Sequence, residues 1–440
     1  MSARPVWLND PSSPPFVYAR YCFHLSGSVT RSHFRCASTG EYLLHVNGTV
    51  HARGLRNSLS ARPVWDDVEI EKSLVAGDNE LLLLLRSSSD KRDQRSWFMA
   101  EGAVVTDTGK RVAIGTSRRW RMQPAAAWSK PDSGSDLLVY EAQQDTVRGD
   151  TLPPDVSVWS EAVELDVSGP PREWHAHTFE LREGFAASIC REGEVEAGTA
   201  LNIKEQPAPF NSCKFVQRQG LLKPTGALSR IATGDGDNAV LLVLDFGRVL
   251  RGYPRLRLSA ATGNVIDVGW AQTLDELPGW ISYRCAEGYR DWCSPMLARF
   301  RYLVLRFSYC NMPVHINCIS IMERNAPSLA EGRFDSSGIE AGVWSLGAAS
   351  LAGARSEVYE FAARDWSGVY AHALNDFYQT GDTRTTRATL ECTSSPTSEL
   401  QLGWLALVAH VYGWYSGETD STRSLLSGFE QQLLEASEQV

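Results

Sequence analysis

The sequence predicts a multidomain β-plus-α chain: two jelly-roll-like β-sandwich modules over about 1–150 and 151–330, then a short α-helical region over about 331–440. Three observations predict it. Short apolar runs punctuated by Gly, Pro, Asn and Asp fill residues from about 14 to 330, the pattern of strands and turns. Near residue 336 the apolar spacing lengthens to the three-and-four rhythm of helices. Proline pairs at Leu152-Pro153-Pro154 and Gly169-Pro170-Pro171 mark a linker between the two β blocks. A length of 440 residues suits about three domains.

In the first block, Phe16–Phe23 reads as a strand. Tyr42–Val46 is a second strand, and the following Asn47-Gly48 is a hairpin turn, because both residues tolerate the positive φ that such turns require. Leu81–Leu85, behind Gly77-Asp78-Asn79, is a short unbroken apolar run bounded by a turn and fits a strand buried on both faces. The second block includes Ala239–Gly247, Arg255–Leu258, Val265–Trp270 and Phe300–Phe307, the last alternating apolar residues with Arg and Tyr as a strand with one wet face does. In the tail, Ile339, Val343, Trp344, Leu346 and Leu351 fall at helical spacing. So do Leu400, Trp404, Leu407, Val408, Val411 and Tyr412, and then Leu425, Leu426, Phe429, Leu433 and Leu434. Gly381-Asp382 and Gly417-Glu418 read as helix-ending turns.

Composition narrows the function. A net charge of −9 argues against nucleic acid or an anionic membrane as partner. No apolar stretch reaches the ~20 residues that span a bilayer. The N-terminal residues lack a basic region followed by an apolar one, so no secretory leader is expected. Nine cysteines scattered without metal-like spacing fit reduced thiols in the cytoplasm, and the sequon at Asn47 is then only a turn. No H-E-x-x-H or EF-hand pattern is present, so neither metal nor cofactor is expected. Asp245-Phe246-Gly247 lacks the Gly-rich loop, lysine strand and H-R-D motif of a kinase; Asp245 and Arg248 read as structural.

Four segments in order resemble the α-L-rhamnosidases. Tyr42–Gly48 with Ala76–Leu81 resembles their accessory, galactose-binding-like β-sandwich, and Leu244–Pro254 is similar to their "DFGxxxxGY" segment. Ala298–Leu303 is similar to their "FRYL" strand, and Phe334–Trp344 to the approach to their six-hairpin (α/α)6 barrel. The resemblance implies inverting hydrolysis of a terminal α-L-rhamnoside and a chain that stops early in the helical barrel. The family signature, approximately D-x-x-x-R-[ED]-x-x-x-x-x-x-D, resembles Glu360–His372. By that resemblance Asp365 is the proton donor, and Glu360 and Arg364 bind the sugar's hydroxyls. Two departures matter: His372 stands where the family has an aspartate, and Asp365 where glutamate is common. Inverting chemistry needs a second carboxyl about 6.5–9.5 Å away to activate water. The resemblance implies that this base comes from a distal part of the barrel; within this chain Glu391 or Glu399, or a second chain, would have to supply it.

Plainer readings stand beside these. Asp365 can be a surface carboxylate paired with a nearby arginine, and Arg364 can pair with Glu360 one helical turn back. Trp366 and Tyr370, with Trp344, Trp404 and Trp414, can form a sugar platform or fill a helix core. His372 can be a satisfied polar residue. Two functions follow: a rhamnosidase-like glycoside hydrolase, impaired if the barrel is incomplete, or a non-hydrolytic homologue. The second binds carbohydrate or uses Asp365 and His372 as a proton-transfer pair on a biosynthetic small molecule, as in secondary metabolism. A homodimer covering the incomplete helical region is the expected protein partner.

Overall fold

The structure is a computed structural model that describes residues 3–9, 14–54, 64–87, 96–131, 137–145, 158–167, 171, 180–198, 203–204, 206–224, 226–234, 237–276, 279–325, 338–354, 359, 365–392 and 398–427. The fold class is as expected: β-sandwich modules followed by helices. The chain divides into a β unit, mainly residues 1–324, and a helical unit, mainly 325–440.

Two sheets make the first sandwich of the β unit. One contains Phe16–Leu25, Gly77–Arg86, Tyr42–Val46 and Thr49–Gly54; the other contains Val29–Ser38, Phe98–Thr106 and Arg111–Gly115. Val17, Ala19, Leu44 and Val46 face Phe34, Cys36, Phe98 and Ala100 between them. The leucine run behaves as its unbroken apolarity dictates. Leu81, Leu83 and Leu85 enter this core, while Leu82 and Leu84 point the other way into a second one. The expected hairpin is present: Tyr42–Val46 pairs with Thr49–Gly54, and Asn47 and Gly48 take φ of 49° and 81°. Asn47 also bonds outward, donating to Ser73 O at 2.7 Å and accepting from Glu80 N at 2.8 Å.

A twelve-stranded sheet forms the second module around the long strand Asn238–Ala260. That strand bends where its register shifts between Asp245 and Leu250, with Gly247 at φ 77°. Asp245 accepts from Gly247 N at 2.7 Å and from Arg301 Nε and Nη2 at 2.9 Å each. Arg248 pairs with Glu323 at 2.6 Å, so both residues are structural here. Strands are exchanged between the modules. Leu138–Glu141 joins the large sheet, parallel to Gly279–Arg284, whereas Ser160–Glu161 and Val163–Glu164 pair back with Arg121–Pro124 and Val6–Trp7 of the sandwich. The expected linker prolines Pro153, Pro154 and Pro170 lie outside the described residues. One apolar core then spans both modules, from Phe16, Tyr18, Leu82 and Leu84 to Leu242, Leu256, Tyr283 and Phe300.

Among the described residues, apart from a 3-10 turn (Glu71–Ser73) and one α-helical turn, α1 (Gln219–Leu222), in the β unit, the helices lie in the tail: α2 (Ile339–Ala354), α3 (Trp366–Thr380), α4 (Arg384–Cys392), α5 (Glu399–Ser416) and α6 (Thr419–Ser427). The expected stops are where the glycines stand. Gly381 and Gly417 adopt φ of 69° and 73° and return their N–H groups to Phe377 O and Gly413 O. Trp366, Val369, Ala373 and Phe377 of α3 pack on Leu402, Leu405, Val408 and Tyr412 of α5. Among the described residues no helix is long and apolar enough to cross a membrane.

Candidate active site

Of the signature-like segment Glu360–His372, residues 365–372 are described, and so is Tyr359 just before it. Glu360 and Arg364 lie outside the described residues, as does the side chain of Glu399. Asp365 is the N-cap of α3, with extended backbone at φ −145° and ψ 91°. Its Oδ1 accepts from Ser367 Oγ at 2.5 Å and from Gly368 N at 3.0 Å, satisfying one of the orphan donors of the helix's first turn. The side chain is exposed, and the Ser367 hydroxyl and Gly368 amide hold its carboxyl below the ordinary aspartate value. A proton donor at neutral pH needs the opposite shift.

The next residue anchors the same turn. Trp366 N donates to Gln401 Oε1 of α5 at 2.7 Å, and the indole is only 2% exposed, packed in the helical core. Tyr370 lies half-buried against the same core, its ring 5.5 Å from that of Trp404. Trp414 projects from α5 at 77% exposure. The aromatics proposed as a sugar platform are therefore spread over different environments rather than gathered on one surface.

His372 lies two turns beyond Asp365 on α3, half-buried, with its ring 6.1 Å from that of Tyr359. Seven residues at the helical rise separate the two backbones by about 10 Å, so a direct proton relay between them would need a bridging group. Glu391 is held by Arg387 Nε at 2.8 Å, one helical turn away, and Arg387 also reaches Glu418 at 3.0 Å.

Sequence reasoning missed a buried polar cluster beside these residues. Tyr359 is fully buried; its N–H donates to Thr389 Oγ1 at 2.9 Å and its hydroxyl to Asp376 Oδ2 at 3.2 Å. Asp376, also fully buried, accepts from Thr380 Oγ1 at 2.8 Å. The chain just before Glu360 is thus tied to α3 and α4, and the chain just after Arg364 to α5. An aspartate inside an apolar helical repeat was the available signal. Among the described residues no cluster of His, Cys, Asp and Glu could hold a metal ion.

No family model and no curated protein matches this sequence. Solved structures do match in fold. The GH78 family rhamnosidase of Bacillus sp. GL1 superposes with a TM-score of 0.73 at 14% identity, over 94% of this chain and 67% of that one. The α-L-rhamnosidase from Dictyoglumus thermophilum gives 0.68 at 12% identity, over 98% of this chain and 51% of that one. The Streptomyces avermitilis α-L-rhamnosidase, solved in complex with L-rhamnose, gives 0.58 at 13% identity, over 92% of this chain and 42% of that one. The chain thus spans about two thirds of the first structure, about half of the second and about two fifths of the third. Across both β modules and the helices that follow, it has the α-L-rhamnosidase fold.

Proposed function

We propose that this chain is a glycoside hydrolase homologue of the rhamnosidase type whose ligand is a terminal α-L-rhamnoside. The observation that carries the reading is the fold agreement over 94% of the chain, through three successive modules, with a rhamnosidase. In this reading Asp365 gives its proton to the leaving glycosidic oxygen, and Glu360 and Arg364 hold the sugar's hydroxyls. Tyr359 and Gln401 fix the backbone on either side of them. Asp365 is ionised as the helix cap, so donation requires the sugar to displace the Ser367 and Gly368 hydrogen bonds and raise its pKa.

A second reading is favoured by that same cap. A carboxylate committed to its helix binds without donating, and the chain then holds a rhamnoside or a related small molecule without cleaving it. Fold alone hosts both outcomes. The test combines turnover of an aryl α-L-rhamnoside with calorimetric binding of L-rhamnose, on the wild type and on Asp365→Asn. Turnover that disappears in the variant supports hydrolysis. Binding without turnover selects the second reading, and neither binding nor turnover overturns both.

A further inference from the structure

Helix α5 has two apolar faces, and the helical core uses only one. Leu402, Leu405, Val408, Ala409 and Tyr412 are buried. On the opposite side Leu400, Gly403, Leu407, His410 and Trp414 are exposed, at successive spacings of three, four, three and four residues after the first. That is the a/d rhythm of a helix-pairing seam. Leu400, Leu407 and Trp414 are 70%, 45% and 77% exposed. The described side chains of α5 carry no formal charge unless His410 is protonated. The outer faces of α4 and α6 differ, carrying Arg384, Arg387 and Glu391, and Asp420 and Arg423. A surface helix ordinarily keeps charge on its outer face, and α5 does not.

We propose that this stripe pairs with the same stripe of a second copy of the chain, antiparallel, about a two-fold axis midway between Leu407 and His410. Self-complementarity is the reason for choosing a second copy. That axis sets Trp414 against the partner's Gly403 and Leu407 against the partner's His410, so the largest side chain of the stripe meets the one position with none. A Cβ added at Gly403 would meet nothing within 4 Å, so the space for an indole is open. With His410 neutral, the stripe also brings no like charges together across the axis. The exposed surface of Leu400, Gly403, Leu407, His410 and Trp414 comes to roughly 500 Å² per copy, hence about 1,000 Å² in a pair. That is the lower limit at which a specific interface begins, so the pair is a weak one.

The inference is independent of whether the chain cleaves a sugar. It is tested by sedimentation equilibrium of the full chain from about 1 to 100 μM, the range over which an interface of this modest size associates. The wild type is expected to dimerise. Leu407→Arg, which places like charges beside the axis, should leave a monomer, and Trp414→Ala should weaken the dimer at least tenfold. Gly403→Leu should weaken it similarly while raising the intrinsic helix preference of α5, which a folding defect would not do. Val343→Arg on α2 should leave it unchanged. A wild type that stays monomeric at 100 μM overturns the proposal. So does a dimer that survives all three α5 changes, or one lost only on the α2 change.

Discussion

Asp365 accepts the N–H of Gly368 at 3.0 Å, so the side chain assigned the proton donation is also the one that starts helix α3. Catalysis and capping ask opposite things of one carboxyl. Capping favours the anion, because a helix N-terminus and a hydroxyl both stabilise negative charge. Donation requires the neutral acid. The two roles separate by mutation and by pH.

Replacing Asp365 by Ala should destabilise the helical unit by about 1 kcal/mol, and Asp365→Ser much less, since Ser also caps. The folded pKa is depressed, so this carboxylate's stabilisation is complete above the unfolded value near 4 and is lost as pH falls through the lower folded value. Urea denaturation of wild type and Asp365→Ser at pH 7 and pH 3 measures it. The gap between the two proteins should narrow at the lower pH.

Asp145 joins the two β modules through two tyrosines. Tyr18 of the sandwich donates to its Oδ1 at 3.0 Å and Tyr140 of the large sheet to its Oδ2 at 2.5 Å. Burial, reinforced by the Asp145 charge, holds both phenols well above their ordinary pKa, so they remain donors through the neutral range. Asp145→Ala takes that acceptor from two buried hydroxyls and should cost about 2–4 kcal/mol. Because one apolar core spans both modules, calorimetry should show the β unit melting in a single transition, shifted down in the variant.

The leucine strand was legible because its physics is local: five consecutive apolar residues bounded by a turn can be satisfied only by burial on both faces. Leu83→Ala, at a fully buried position, should cost about 2–5 kcal/mol. Val75→Ala, at an exposed position, should change stability by about 0.5 kcal/mol or less. Chemical denaturation compares them.

Other features had no local signature. Leu138–Glu141 finds its partner strand at Ile281–Arg284, some 140 residues on, and no nearby residue announces such a pairing. The Asn-Gly hairpin and the Gly381 and Gly417 helix stops were readable, because positive φ selects its residues. Around the candidate site, the cap at Asp365 was also written in the sequence, as an aspartate directly before a helical apolar repeat, but the resemblance drew attention to its acid role instead. Trp366 and Tyr370 could not be divided between core and platform from spacing alone. Only packing shows that the first is enclosed and the second half-covered.

Asp267 and Arg306 form a buried ion pair in the large sheet at 2.6 Å. Asp267→Ala would remove the carboxylate paired with a buried guanidinium and should cost about 3–5 kcal/mol. Replacing both partners with apolar residues of similar volume should cost far less. Denaturation midpoints of the single and double variants decide whether the pair stabilises the sheet or only requires its own completeness.

The account turns on whether a terminal rhamnoside is this protein's ligand and substrate. Steady-state hydrolysis of an aryl α-L-rhamnoside measures that directly, with Asp365→Asn and Asp365→Ser beside the wild type. The expected result is turnover by the wild type that both substitutions abolish, although Ser keeps the helix capped. Turnover undiminished in Asp365→Ser would remove Asp365 from the chemistry, and a folded wild type that neither cleaves the rhamnoside nor binds L-rhamnose would contradict the account outright.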